Sequence, residues 1–124
     1  MNAAGTIEAY YAALRNGDPL HPYFAERPDV VKFGVGERLV GYEAIADGLR
    51  AQTRSTEDWT VESQALRVTE RDDHAWFSDA VFMSWTDTDA DHEYALSTRW
   101  SGTMERSDGD WRFVGMHVST PYVD

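Results

Sequence analysis

From Trp59 onward the chain is written almost entirely in strands. Trp59 to Glu70, His74 to Thr86, His92 to Arg106 and Trp111 to Ser119 are runs rich in aromatic and β-branched residues. Acidic turns separate them: Arg71-Asp72-Asp73, Asp87 to Asp91, and Asp108-Gly109. Runs joined by turns this short fold back on one another as an antiparallel meander. Asp108-Gly109 is the strongest local signal, because Asp-Gly tolerates the positive φ angles that a two-residue type I′ hairpin demands. A meander of this length commits the chain to a sheet. That sheet must bury at least one face against another layer.

The covering layer is N-terminal. Ile7, Tyr10, Tyr11 and Leu14 recur on one helical face, and Asn16-Gly17 ends the run. Asp18 to Pro28 holds Pro19, Pro22 and Pro28 around Tyr23 and Phe24, which predicts a compact loop with room for one helical turn. Asp29 to Val35 reads as a short strand closed by Gly34 and Gly36. Gly41 opens a second helix with the apolar stripe Tyr42, Ile45, Ala46 and Leu49. Helices first and a meander last predict a single α+β domain over residues 1–124, with a curved antiparallel sheet wrapped on the N-terminal helices. The length supports one core and not two.

Alternation sorts the strand side chains into faces. Tyr94, Leu96, Thr98, Trp100, Gly102 and Met104 share one side. If Asp108-Gly109 is a two-residue turn, Ser107 pairs with Asp110 and Trp100 lies opposite His117. Trp111, Phe113, Gly115 and His117 then join the same side, while Val114, Met116 and Val118 face away. A three-residue turn would move His117 to the other face. The neighbouring strand places Trp76 and Phe82 on one side and Phe77, Val81, Met83 and Trp85 on the other. A sheet apolar on both sides needs two covers, and the helices supply one. A symmetric homodimer through the outer sheet face is the simplest second cover.

Charge narrows the partners. Asp and Glu number 22 against 11 Lys and Arg, a net charge of −11, and Lys32 is the only lysine. Such a field repels phosphate backbones and anionic membrane surfaces, so neither nucleic acid nor membrane is an expected partner. The acidic, lysine-poor composition fits a salt-adapted source and a merely solubilising surface equally. No stretch approaches the ~20 apolar residues of a membrane span. The start of the chain lacks the basic and apolar segments of a signal peptide, so a cytoplasmic location is expected. Without cysteine there is no disulfide framework and no thiolate metal site.

Several segments together carry a family likeness. Val30-Val31-Lys32-Phe33-Gly34-Val35-Gly36-Glu37 leads into Gly41-Tyr42-Glu43-Ala44-Ile45. The chain closes with Arg99-Trp100-Ser101, Asp108-Gly109-Asp110-Trp111-Arg112-Phe113-Val114, His117-Val118-Ser119 and Pro121. In this order and spacing they resemble the SnoaL-like branch of the nuclear transport factor 2-like superfamily. The ending also resembles the association domain of calcium/calmodulin-dependent protein kinase II. The resemblance runs from Ile7 to Pro121. It implies a cone-shaped α+β barrel of the cystatin-like type, open at one end and usually dimeric through the outer sheet face. It implies a fold more than a reaction, since the superfamily spans isomerases, polyketide cyclases, dehydratases, transport factors and oligomerising modules. Ketosteroid isomerase would place a general-base carboxylate near Lys32 and Phe33, and neither is an acid. The kinase domain's inward arginines fall at Val81 and Gly102. The pocket is therefore expected to be apolar and to take a small apolar molecule, with no cofactor.

Two residues are candidates for chemistry. His117, placed inward by the two-residue turn, is a general acid or base or else a core histidine with satisfied ring nitrogens. Asp79 shares a face with Phe77, Val81, Met83 and Trp85, where a carboxylate must be bonded or paired. It is an acid/base partner of His117, a structural ion pair, or a residue turned outward by a bulge. Tyr10, Tyr11, Phe33, Trp59, Phe77, Trp85, Tyr94, Thr98, Trp100 and Phe113 are expected to line the pocket, with plain core as the default role of several. Asp87-Thr88-Asp89-Ala90-Asp91-His92 resembles the opening of a calcium loop but has His92 at the glycine position and Thr98 at the glutamate position. His21, His74 and His92 have no metal-helix spacing, so no metal is expected. Two functions remain open: a pocket for a small molecule, serving cofactor-free isomerase, cyclase or dehydratase chemistry, or a non-catalytic dimerisation or regulatory module with a filled barrel.

Overall fold

Helix α1 (Ala3–Asn16) begins where the Asn2 side chain accepts from the Gly5 N–H at 2.7 Å and ends at Gly17, whose φ of 72° suits a residue without Cβ. The computed structural model describes residues 1–121. A single 3-10 turn (His21–Tyr23) follows, as the proline-rich loop predicts. Strands β1 (Val31–Gly34) and β2 (Glu37–Val40) form a hairpin, and helix α2 (Tyr42–Ser55) leads without a gap into β3 (Thr56–Ser63). The meander is completed by β4 (Arg67–Glu70), β5 (His74–Asp87), β6 (His92–Ser107) and β7 (Asp110–Ser119).

The sheet runs β2-β1-β7-β6-β5-β3, with β4 also pairing β5. Only the β1–β7 pairing is parallel; the other strand pairs are antiparallel. Both helices pack on the concave face. Their buried residues, among them Ile7, Tyr10, Tyr11, Leu14, Ile45 and Leu49, meet Val61, Phe77, Val81, Trp100, Met104 and Phe113 from the strands. Edge-on aromatic pairs lock this core: Tyr10 with Phe113 at 5.3 Å and Tyr11 with Trp100 at 5.2 Å. Each contributes about 0.5–1.5 kcal/mol beyond its buried area.

Three features differ from expectation. The run Trp59 to Glu70 is two strands, because the three residues Gln64–Leu66 face only two, Asp79 and Ala80, on β5. Strand β2 is additional. It is a short edge strand with its side chains mostly in water, and such a segment carries little apolar pattern.

The third difference decides the site. Asp108 and Gly109 form the expected two-residue turn, with φ of 54° and 83° and Ser107 paired to Asp110. Further along, Met104 pairs with Phe113 but Thr103 pairs with Gly115, so Val114 is an extra residue in a β-bulge. The alternation of β7 reverses there. Met116 and Val118 turn inward and are buried, and Gly115 and His117 turn outward. Gly102 permits the close approach: a Cβ there would meet the Gly115 carbonyl and come within 2.8 Å of Phe77.

Candidate functional site

The concave face does not fill completely. Between the helices and the sheet lies a hollow of about 150 Å³, opening beside the β1–β2 turn. Tyr10 and Leu14 reach it from α1, Gln52 from α2, Trp59 from β3, Met83 and Trp85 from β5, Trp100 from β6 and Val118 from β7. Lys32, Gly34, Val35 and Glu37 close the remaining side. The aromatic wall is held in place: Trp59 stacks on Trp85 at 4.7 Å, and its indole N–H donates to Thr56 Oγ1 at 2.9 Å. The Trp100 indole donates to Thr98 Oγ1, which itself donates to the Val81 carbonyl at 2.6 Å.

Lys32 is the unexpected member. Only 5% of it is exposed, and its ammonium donates to Glu37 Oε1 at 2.5 Å. Burying an ammonium among apolar groups costs several kcal/mol unless it is paired, and removing one member of a buried pair costs about 3–5 kcal/mol. Tyr10 is buried as a residue too, but its hydroxyl, without a protein hydrogen bond among the described residues, still reaches open space, since no sealed side-chain oxygen or nitrogen there lacks a partner. Burial, reinforced by the Glu37 charge, pushes its phenol well above the ordinary tyrosine range, so it stays a neutral donor. The signal for Lys32 was present in the sequence: it is the single lysine, and it alternates inward with Val30 while Val31 and Phe33 point out.

Of the residues expected to line the pocket, Tyr10, Trp59, Trp85 and Trp100 do so. Tyr11, Phe77, Thr98 and Phe113 lie in the packed core instead, each nearly inaccessible. Tyr94 stands at the rim, 38% exposed and stacked on Trp85 at 5.2 Å. Phe33 is on the outer face, tilted against the His117 ring at 5.5 Å, because odd residues of β1 point away from the helices.

Asp79 and His117 are not a dyad. Both border a shallow groove of about 460 Å³ on the outer face with Arg67, Arg99 and Ser101, but they approach it from opposite sides of the sheet. His117 is exposed and opposite Ser101, where the bulge at Val114 puts it. The Asp79 carboxylate is buried on the inner side. Its Oδ2 accepts from Tyr11 at 2.9 Å and Ser63 at 2.6 Å, and its Oδ1 from the Ala65 N–H at 3.0 Å. Ala65 lies in the irregular segment between β3 and β4, so the carboxylate satisfies a backbone donor that the ladder leaves over. Burial, then the Asp79 charge and hydrogen bond, push the Tyr11 phenol up as well.

A second crevice, about 180 Å³, lies beyond Leu14, Gln52 and Trp59, but Arg15, Asn16, Asp18, Glu57 and Asp58 line it at the surface, where water competes. Among the described residues no cluster of His, Asp and Glu is arranged to hold a metal ion. Among the same residues no helix is long and apolar enough to cross a membrane.

The model of the SnoaL-like domain family matches residues 4–123. No curated relative matches the sequence. Among solved structures the chain is similar to a nuclear transport factor 2-like superfamily protein from Salmonella enterica, with 18% identity and a TM-score of 0.82 over 96% of this chain and 88% of that one. It is also similar to a proposed dehydratase of the same family from Streptomyces avermitilis, with 15% identity and a TM-score of 0.84 over 97% and 94%. A proposed calcium/calmodulin-dependent protein kinase II association domain from Xanthomonas campestris gives 21% identity and a TM-score of 0.78 over 95% and 84%. Likeness at these identities is likeness of fold.

Proposed function

The chain belongs to the SnoaL-like domain family, and from that premise we propose that its cone binds a small, flat molecule in the hollow beside Lys32. One observation carries this reading: the only lysine is buried against an aromatic wall, in a space the core leaves unfilled. Packing alone does not favour an ammonium there. A space of about 150 Å³ matches one six-membered ring, since cavities of that size accept benzene. It falls short of the ~300 Å³ that drug-sized ligands occupy, so a ligand larger than one ring would project through the mouth. Proton-transfer chemistry of the isomerase or dehydratase kind would use Lys32, Glu37 and Tyr10, the ionisable groups on this wall, in place of Asp79 and His117.

Tryptophan fluorescence tests the hollow directly, because Trp59, Trp85 and Trp100 all border it. Benzamide is expected to change the emission saturably, and Val118→Phe, which fills the space, is expected to abolish that change. A saturable signal that survives Val118→Phe would place the binding elsewhere.

Pairing of two copies through the outer sheet face is the second part of the proposal. It stands on less than the alternation suggested, because Met116 and Val118 are core. Phe33 and Trp76 remain, 37% and 44% exposed, with Phe82 half-buried between Glu62 and Ser97 of the neighbouring strands. Sedimentation equilibrium is expected to give twice the chain mass at micromolar concentration. A monomer mass there would remove this part and leave the hollow untouched.

A further inference from the structure

Resting on the reading of the hollow as a ligand site, we propose that its ligand is a small aromatic carboxylate, and that Glu37 holds the place on Lys32 which the ligand's carboxylate takes.

The two members of the ion pair are not equivalent. The Lys32 side chain is 7% exposed and fixed on β1, whereas that of Glu37 is 38% exposed and stands just past the Val35–Gly36 turn. Glu37 can swing into water at little cost. Lys32 cannot follow it, and without another anion it would be an unpaired charge in an apolar space. Glu37 reaches Lys32 only by lying across its cross-strand partner Gly34, where an added Cβ would come within 2.7 Å of Glu37 Cγ. Its carboxylate thus arrives at the mouth from outside, along the path that an incoming ligand would use.

The other polar groups on the wall agree on the sign of the guest. The indole N–H groups of Trp59 and Trp100 are already engaged by Thr56 and Thr98. Among the described residues the Tyr10 hydroxyl, held as a donor, the Gln52 amide and the Trp85 indole N–H are the groups of this wall left without a side-chain hydrogen bond. A wall that joins an ammonium and a phenol donor with flat rings suits a carboxylate on a ring: the ammonium takes the carboxylate, and Trp59, Trp85 and Trp100 border the ring. A cationic guest would meet Lys32, and a neutral one would leave the existing ion pair unimproved.

Benzoate, benzamide and benzylamine share a ring and differ in charge, so titrating each against the tryptophan emission isolates the claim. Benzoate is expected to bind about tenfold tighter than benzamide, the scale of one charge-assisted hydrogen bond. Lys32→Met, close to isosteric, is expected to erase that preference, benzoate losing about tenfold more affinity than benzamide. Glu37→Gln removes the charge of the resident competitor and is expected to tighten benzoate by about three- to tenfold relative to benzamide. If benzamide and benzoate bind alike and Lys32→Met changes neither, the carboxylate inference fails while the hollow remains a site. If benzylamine is preferred, Glu37 is the recognising group and the inference is overturned. If none of the three binds, the ligand site itself falls, and this inference with it.

Discussion

Asp79→Asn is expected to lower the unfolding free energy by about 2–4 kcal/mol, because a buried hydrogen bond to a charged group contributes about 1.5–3 kcal/mol and an orphaned donor costs about as much again. For a domain of this length that corresponds to a fall in Tm of roughly 10 °C. Asp79 accepts from Tyr11, Ser63 and the Ala65 N–H, so it joins α1, the end of β3 and the irregular segment before β4. Asparagine supplies a single acceptor oxygen for that set and turns an N–H group toward a donor. Asp79→Ala is expected to cost more, since it leaves all three donors without a partner. Tyr11→Phe and Ser63→Ala should each cost less than Asp79→Asn, and their effects should not add to it, because all three act on one network. Urea titration monitored by far-UV circular dichroism checks this: a lower midpoint with an unchanged slope is the expected outcome. An unchanged midpoint in Asp79→Asn would mean that the carboxylate is not a clamp and is free for other work.

The fold was legible because its signals are local. Helical spacing from Ile7 to Leu14, the Gly17 stop, the β6 alternation and the Asp-Gly turn are each set by residues near in sequence, and each stands in the structure. The site was less legible because it depends on one extra residue in β7. Even that left a trace. Apolar positions run 111, 113, then 116, 118, a change of phase across Val114, and Gly102 and Gly115 are isolated glycines inside strands. Glycine in a strand interior marks a bulge or a close backbone approach. Read that way, the phase change places Met116 and Val118 inside and His117 outside. Asp79 was harder. Its face was clear from alternation, but its partners are a tyrosine 68 residues earlier and a backbone N–H freed by the β3–β4 break. Neither follows from spacing. Lys32 shows the opposite failing, since its inward direction followed from alternation and only its charge argued against it.

Inserting one alanine after Val114 is therefore expected to abolish the cooperative fold, whereas Val114→Ala, which keeps the residue count, should cost no more than about 1.5 kcal/mol. One more residue after the bulge would take the place opposite Thr103 and shift the rest of the ladder by one, so that Gly115 and His117 would face the helices and Met116 and Val118 would face water. Exposing two large apolar side chains forfeits about 1.5–3 kcal/mol each. Turning an imidazole into an apolar core without a partner adds about 1–3 kcal/mol. Strand β1 cannot restore the balance, because it is paired in parallel with Gly115, Met116 and His117 and would lose either its hydrogen bonds or the placement of Lys32 beside Met116. Together these losses are comparable to the whole stability of an ordinary domain, about 5–15 kcal/mol. Thermal melts followed in the near ultraviolet are expected to show no transition for the insertion and a near-native one for Val114→Ala. A cooperative, near-native melt from the insertion would show that β7 can take up a second extra residue in its bulge, and the inward face that builds the hollow would then not be fixed by residue count.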